Sequence, residues 1–256
     1  MPVANAQSRF SDRVADYIRS RPGYPERIID ILGARCGLRA DAVVADIGSG
    51  TGLLARPFLG RGHRVFGVEP NAEMRAAGDR LLGDHPRFVS VAGCAEGTGL
   101  ADASVDLVTA GQAFHWFDRA RARGEFCRIL RPGGWVALLW NDRRTDSSPF
   151  LRAYEALLVR HCPEYLEVVH RNVDAPAVAA FFAPAPVETA VVESAQRFDW
   201  EGLRARHLSM SYVPHTGPAC EACLSELQAL YERHAVAGLV EFEYDTRAYF
   251  GRLAPA

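Results

Sequence analysis

Val43-Val44-Ala45-Asp46-Ile47-Gly48-Ser49-Gly50-Thr51-Gly52 is the stretch whose reading decides the fold. Its apolar opening with two β-branched residues has the pattern of a parallel strand buried on both faces. Three glycines at alternate positions, Gly48, Gly50 and Gly52, then break the strand, and Leu53-Leu54-Ala55 begins a helical rhythm. Strand, glycine-rich turn and helix in that order are the first half of a βαβ unit of the nucleotide-binding kind. Glycine suits such a turn because it accepts positive φ and lets backbone pass close to a ligand.

The ligand class follows from what flanks the turn. A dinucleotide fingerprint requires a glycine three positions after Gly50, where this chain has Leu53. Asp46 places a carboxylate at the strand end, where a helix N-terminus would otherwise suit a pyrophosphate. A fixed negative charge there opposes a polyanion and favours a ligand bearing an ammonium and a sulfonium, as S-adenosylmethionine does. Arg64-Val65-Phe66-Gly67-Val68-Glu69 reads as the next strand. Glu69 falls about 20 residues past the turn, where an acid takes ribose hydroxyls.

With these residues and D-I-G-S-G-T-G (46–52), G-V-E-P-N-A-E-M (67–74), G-C-A-E (93–96), G-Q-A-F-H-W-F-D (111–118) and R-I-L-R-P-G-G (128–134), the sequence resembles the class I S-adenosylmethionine-dependent methyltransferases. Within them it is most similar to the small-molecule group that includes trans-aconitate methyltransferase-like proteins, whose pattern also contains R-P-G-Y-P (21–25). These motifs cover the first 145 residues densely and the rest loosely.

Bulk composition narrows the partners. The 256 residues are 48% hydrophobic and 23% charged, with a net charge of −2. That is enough chain for a full core and gives no overall attraction to nucleic acid or an anionic membrane. All 29 basic side chains are arginines. Six cysteines are scattered without a small-domain disulfide spacing, the first residues lack the apolar core of a signal peptide, and no apolar run approaches a membrane span. A reduced, cytoplasmic protein, monomer or homodimer, is the expectation.

Along the chain, a helical rhythm from Ser11 and a second helix over Glu26–Leu38 flank the turn at Arg21–Pro25. Helices are expected over 53–60, 72–82 and 119–130, and strands over 64–69, 87–91, 105–110 and 135–140. Arg131-Pro132-Gly133-Gly134 reads as a helix stop. Further helices are expected over 150–161, 174–182, 200–210 and 220–236, with strands over 187–198 and 239–249. The expected fold is α/β, a Rossmann-like class I methyltransferase fold: a seven-stranded, mostly parallel sheet with helices on both faces and a helical lid. It is expected as one domain over 1–256. N-terminal helices occupy 1–40, the cofactor-binding half 41–142, and lid insertions about 143–186 and 199–238, with strands six and seven about 187–198 and 239–249.

The resemblance assigns roles residue by residue. Asp46 receives the methionine ammonium; Gly48, Ser49, Gly50 and Gly52 form the close turn; Glu69 binds the ribose. Pro70, Asn71 and Met74 line an adenine face, Ala95 and Glu96 meet the adenine edge, and Gln112 approaches the methionine end. The N-terminal segment crosses the ligand mouth in that family, which makes Tyr17, Arg21 and Tyr24 substrate candidates, Arg21 for a bidentate grip on a carboxylate. Met74 and the aromatics also suit plain core packing.

On the acceptor side, the exocyclic-amine methyltransferases of nucleic acids and the protein-amide enzymes carry an Asn/Asp-Pro-Pro-aromatic run after strand four. Here that place holds His115 between aromatics. His115 is the catalytic candidate, either removing a hydroxyl proton or hydrogen-bonding a carboxylate that needs no base. Trp116, Trp140, Asn141 and Tyr212 complete the substrate candidates. Cys220-Glu221-Ala222-Cys223 is a lone C-x-x-C that suits core packing better than zinc, so no metal is expected. The expected reaction is methylation of a small molecule, at a carboxylate or hydroxyl oxygen. Alternatives are carbon or nitrogen methylation of a natural-product intermediate, a nicotinamide-dependent oxidoreductase, and a catalytically silent S-adenosylmethionine-binding protein.

Overall fold

A computed structural model describes residues 21–166 and 175–254. Seven strands form one sheet: β1 (Val43–Ile47), β2 (Arg64–Val68), β3 (Phe88–Val91), β4 (Val105–Gly111), β5 (Leu130–Arg143), β6 (Glu188–Phe198) and β7 (Val240–Gly251). Their spatial order is β3-β2-β1-β4-β5-β7-β6, with β7 antiparallel to both neighbours and the first five strands parallel. The chain leaves β1 toward β2 on one side and returns to β4 on the other. The crevice between those two directions is where open α/β sheets bind ligands.

The described helices are α1 (Glu26–Cys36), α2 (Ala55–Gly60), α3 (Ala72–Leu82), α4 (Arg119–Ile129), α5 (Pro149–His161), α6 (Ala175–Phe182), α7 (Trp200–Leu208) and α8 (Gly217–His234). Period-two alternation sorts the central strands into two cores. Val108, Val136 and Leu138 pack on one face with Phe114, Phe126 and Phe181, whereas Leu107, Ala137 and Leu139 pack on the other with Ile28, Leu32 and Phe58. A third core, built on Tyr154, Leu157, Leu203, Leu227 and Phe242, joins α5, α7 and α8 to the end of β7.

Two local features position the site. Past Leu139, β5 has no partner in β4 and pairs with β7 alone, from Trp140↔Arg247 to Arg143↔Tyr244. That projecting ribbon carries Asn141, Asp142 and Arg143 beyond the parallel sheet. Arg131-Pro132-Gly133-Gly134, expected as a helix stop, lies inside β5: Leu130 already pairs with Val105, and the register slips before Leu107↔Trp135. No described helix is long and apolar enough to cross a membrane.

Candidate active site

β1 sits between β2 and β4 with Asp46 opposite Gly67 on one side and Thr109 on the other. The strand therefore delivers the Asp46 carboxylate to the sheet end, only 1% exposed. Thr109 donates its hydroxyl to Asp46 Oδ1 at 3.1 Å, while Oδ2 is buried with no partner. Burial pushes the Asp46 carboxyl up to about 7; the Thr109 hydrogen bond pulls it back, and the nearby Glu69 charge adds to the rise.

Gly48 turns the chain at φ +68°, and a Cβ there would lie 2.7 Å from the Ala113 Cβ. No other residue type fits that turn without moving the loop after β4. Glu69, also buried, accepts from the Gly50 N–H at 2.9 Å and the Asn71 N–H at 2.8 Å. Burial raises its carboxyl, and those two N–H bonds oppose the rise. Each carboxylate oxygen keeps a further lone pair for an incoming donor.

An open cavity of about 490 Å³ lies over this turn. Of the sequence-predicted residues it brings together Arg21, Tyr24, Asp46, Gly48, Ser49, Gly50, Gln112, His115, Trp116, Asn141 and Tyr212. Asn141 donates from Nδ2 to the carbonyls of Pro22 and Gly23, at 3.4 and 3.2 Å, and accepts from Thr246 at 2.6 Å. This ties the Arg21–Tyr24 turn across the mouth. The Tyr24 hydroxyl lies where a Cβ on Gly111 would be, 2.4 Å away, so glycine at the end of β4 makes its seat.

Gln112 holds φ +55°, uncommon for a residue with a side chain, and is fixed by its N–H to Leu139 O at 2.9 Å and its Nε2 to Asn141 O at 3.2 Å. Such strain gathers at ligand sites. His115 follows in a short 3-10 turn, Phe114–Trp116. Its Nδ1 is buried without a partner, and burial alone brings the imidazole down to about 4. The ring is therefore neutral at physiological pH.

Several expected residues lie elsewhere. Trp140, expected to meet substrate, is 1% exposed and packs edge-on against Phe114 and Tyr249 in the core, because alternation along β5 sends Trp140 inward and Asn141 to the cavity. Gly52 does not line the cavity; a Cβ there would meet Leu82 of α3 at 2.2 Å, so it serves the packing of the turn on that helix. Met74 is buried beside Gly50, and Ala95 is buried in the core. Pro70 is exposed, and the Asn71 side chain caps α3 by accepting from the N–H groups of Glu73 and Met74. Glu96 accepts from the Asp118 N–H at 2.8 Å, joining the loops after β3 and β4. Pro70, Asn71, Glu69 and Glu96 all lie outside the cavity lining. Tyr17 lies outside the described residues.

The structure adds residues the sequence did not single out: Thr109 beside Asp46, and Arg143, Tyr165, Arg206 and Tyr244 at the lid end of the cavity. Only Thr109 carried a signal, since it lies two residues before Gly111 on a strand that must flank β1. Among the described residues, no cluster of three or more His, Cys, Asp or Glu side chains is arranged to hold a metal ion.

Residues 45–138 match the methyltransferase domain family. Over 134 residues the chain is 43% identical to an uncharacterised methyltransferase of Mycobacterium tuberculosis, the match covering 52% of each protein. Over 133 residues it is 35% identical to the malonyl-[acyl-carrier protein] O-methyltransferase of Pectobacterium atrosepticum, covering 49% of this chain and 46% of that protein. The chain thus spans about half the length of the curated relatives it matches. In fold it is similar to a candidate type II methyltransferase from Anaeromyxobacter dehalogenans, with TM-score 0.62 at 23% identity, covering 92% of this chain and 99% of that one. Residues 45–138 are thus similar to a methyltransferase domain, and the chain shares the Rossmann-like fold of solved methyltransferase structures.

Proposed function

We propose that the whole chain is an S-adenosylmethionine-dependent methyltransferase acting on a small molecule, with a carboxylate or hydroxyl oxygen as acceptor. One observation carries the reading: the buried, half-satisfied carboxylate of Asp46 on the cavity wall beside a glycine turn. An unpaired buried carboxylate oxygen is costly, and an ammonium is the partner that offsets the cost. The same group disfavours a diphosphate coenzyme. The residues therefore fit the cofactor, which supplies an electrophilic methyl group on sulfur.

Around it the chain's own groups bind and orient. Asp46, aimed by Thr109, takes the ammonium; Gly48, Ser49 and Gly50 give close backbone passage; Glu69 reaches the ribose with lone pairs not used by Gly50 and Asn71. Pro70, Asn71, Met74, Ala95 and Glu96 belong to the adenine side in this reading, and Gln112 to the methionine side. Transfer from a sulfonium releases a neutral thioether, so alignment and exclusion of water do most of the work, with proximity alone able to contribute about 7–11 kcal/mol. His115 holds the acceptor by a hydrogen bond from a neutral ring. An imidazole held near 4 is a weak base, which favours an acceptor oxygen that is already deprotonated, a carboxylate, over a hydroxyl that must give up a proton. The O-methyltransferase activity in the name of the Pectobacterium relative agrees with an oxygen acceptor.

The test is a methyl-transfer screen with S-adenosylmethionine against small acids and alcohols, read by mass spectrometry. Methyl esters or ethers are expected from the wild-type chain and none from Asp46→Ala. Cofactor binding with no product from any acceptor would favour a silent binding protein instead.

A further inference from the structure

The lid end of the cavity carries a charge that the cofactor does not explain. Arg206, on α7, lines the cavity yet is only 5% exposed. Its Nε donates to the Tyr244 hydroxyl at 3.4 Å, its guanidinium lies over the Phe242 ring, and Nη1 is buried with no partner. No carboxylate of the described residues pairs with it. A guanidinium stays ionised at any ordinary pH, so among the described residues this is a buried, uncompensated cation.

Arg143 stands on the same wall, at the tip of the β5 ribbon and in register with Tyr244. Its Nη2 binds Glu155 and the Tyr165 hydroxyl, at 2.5 and 2.8 Å, while its Nη1 is also buried and unpartnered. Glu155 balances Arg143, and Asp142, the other acid on this wall, faces Arg247 at 3.6 Å. Of these two arginines, the one without a carboxylate partner among the described residues is Arg206. Tyr165, Tyr212 and Tyr244 ring this end of the cavity.

Resting on the methyltransferase reading above, we infer that Arg206, with Arg143 beside it, is the specificity site for the acceptor and takes a carboxylate of that molecule other than the group that receives the methyl. Two orphan guanidinium donors with tyrosine hydroxyls around them match a planar anion. Arg206 enters the cavity beside Tyr244 of β7, three strands along the sheet from β1. In the order β1-β4-β5-β7, strand spacings of about 4.8 Å put β7 about 14 Å to the side of β1 and its glycine turn. In the reading above the methyl group leaves near Gln112 and His115, so an acceptor held by both would span from there to Arg206. It is a small bifunctional acid.

The test compares wild-type protein with Arg206→Met and Arg206→Lys by calorimetry. S-adenosylhomocysteine is titrated first; glutarate, adipate and the corresponding diamides are then titrated into the saturated complex. The wild type is expected to bind the acids more tightly than the diamides by roughly ten- to hundredfold. Arg206→Met should lose that preference with S-adenosylhomocysteine affinity unchanged, and Arg206→Lys should keep part of it. Arg206→Met should also melt above the wild type, since it removes an unpaired buried charge and leaves an apolar chain of similar length, which guards against reading misfolding as lost recognition. Acids bound no better than diamides, a preference surviving in Arg206→Met, or a Met variant with weakened S-adenosylhomocysteine binding would each overturn the assignment; the last result would give the charge to the cofactor. Failure of the wild type to bind S-adenosylhomocysteine at all would instead sink the methyltransferase reading beneath it.

Discussion

The two ends of the cavity are built on opposite electrostatic plans. At the sheet end, Asp46 is a buried carboxylate with one oxygen unsatisfied, and Glu69 lies nearby in the adjoining strand-end loop. At the lid end, Arg206 is a buried guanidinium and Arg143 a partly buried one, each with a buried, unsatisfied Nη1. The acids come from neighbouring parallel strands within one βαβ unit. The arginines come from the tip of β5 and from α7, brought together by β7. A site whose polarity reverses across one cavity is suited to two ligands of opposite charge at the ends they present: a cationic donor at the sheet and an anionic acceptor under the lid.

Changes at the two ends should therefore separate. The largest effect is expected for Asp46→Ala, which should weaken S-adenosylhomocysteine binding by roughly two to three orders of magnitude, because it removes one partner of a buried charge pair. Calorimetry should find acceptor-side changes without such an effect; equal losses from both ends would erase the distinction drawn here.

The pH dependence of cofactor affinity comes next. The Asp46 carboxyl is raised to about 7 by burial, so the folded, unliganded protein holds a proton there that the unfolded chain loses near pH 4. Folding stability from this group is thus present at low pH and lost as pH rises toward 7. The ammonium needs the ionised form, so affinity should rise by about tenfold per pH unit up to 7 and then flatten. Affinity that falls over the same interval would mean that Asp46 does not meet a cation.

His115→Ala should lower turnover by roughly ten- to hundredfold while leaving S-adenosylhomocysteine binding unchanged. His115→Gln should recover part of that loss, because a neutral hydrogen-bonding group is what the buried ring supplies. The His115 imidazole sits near 4, so the rate profile between pH 5 and 9 should show no step that disappears in the glutamine variant. Such a step would restore His115 as a general base. Thr109→Val should be the mildest, weakening cofactor binding by about three- to tenfold through loss of the hydrogen bond that aims Asp46. An unchanged affinity would show that Asp46 needs no such support.

How much was legible in the sequence divides along the same line. The glycine turn, its flanking acids and the succession of strands and helices along the chain could be read because each demand is local: a positive φ at Gly48, a strand buried on both faces, an acid at a strand end. The Trp140-Asn141 pair shows the first limit. Both stand at the expected edge, but alternation sends one into the core with Phe114 and the other to the carbonyls of Pro22 and Gly23. Arg131–Gly134 shows the second, since proline and glycine end a helix without saying whether a strand has already begun. Arg206 shows the third. In Trp200-Glu201-Gly202-Leu203-Arg204-Ala205-Arg206 nothing distinguishes the buried arginine from the exposed Arg204; only the packing of α7 against Phe242 and Tyr244 does.

The most direct test of the account is the parallel titration of S-adenosylhomocysteine and NAD into the wild-type protein at neutral pH. The buried carboxylate at Asp46 predicts saturable binding of the sulfur compound and none of the dinucleotide. NAD bound at the glycine turn, with S-adenosylhomocysteine ignored, would contradict it.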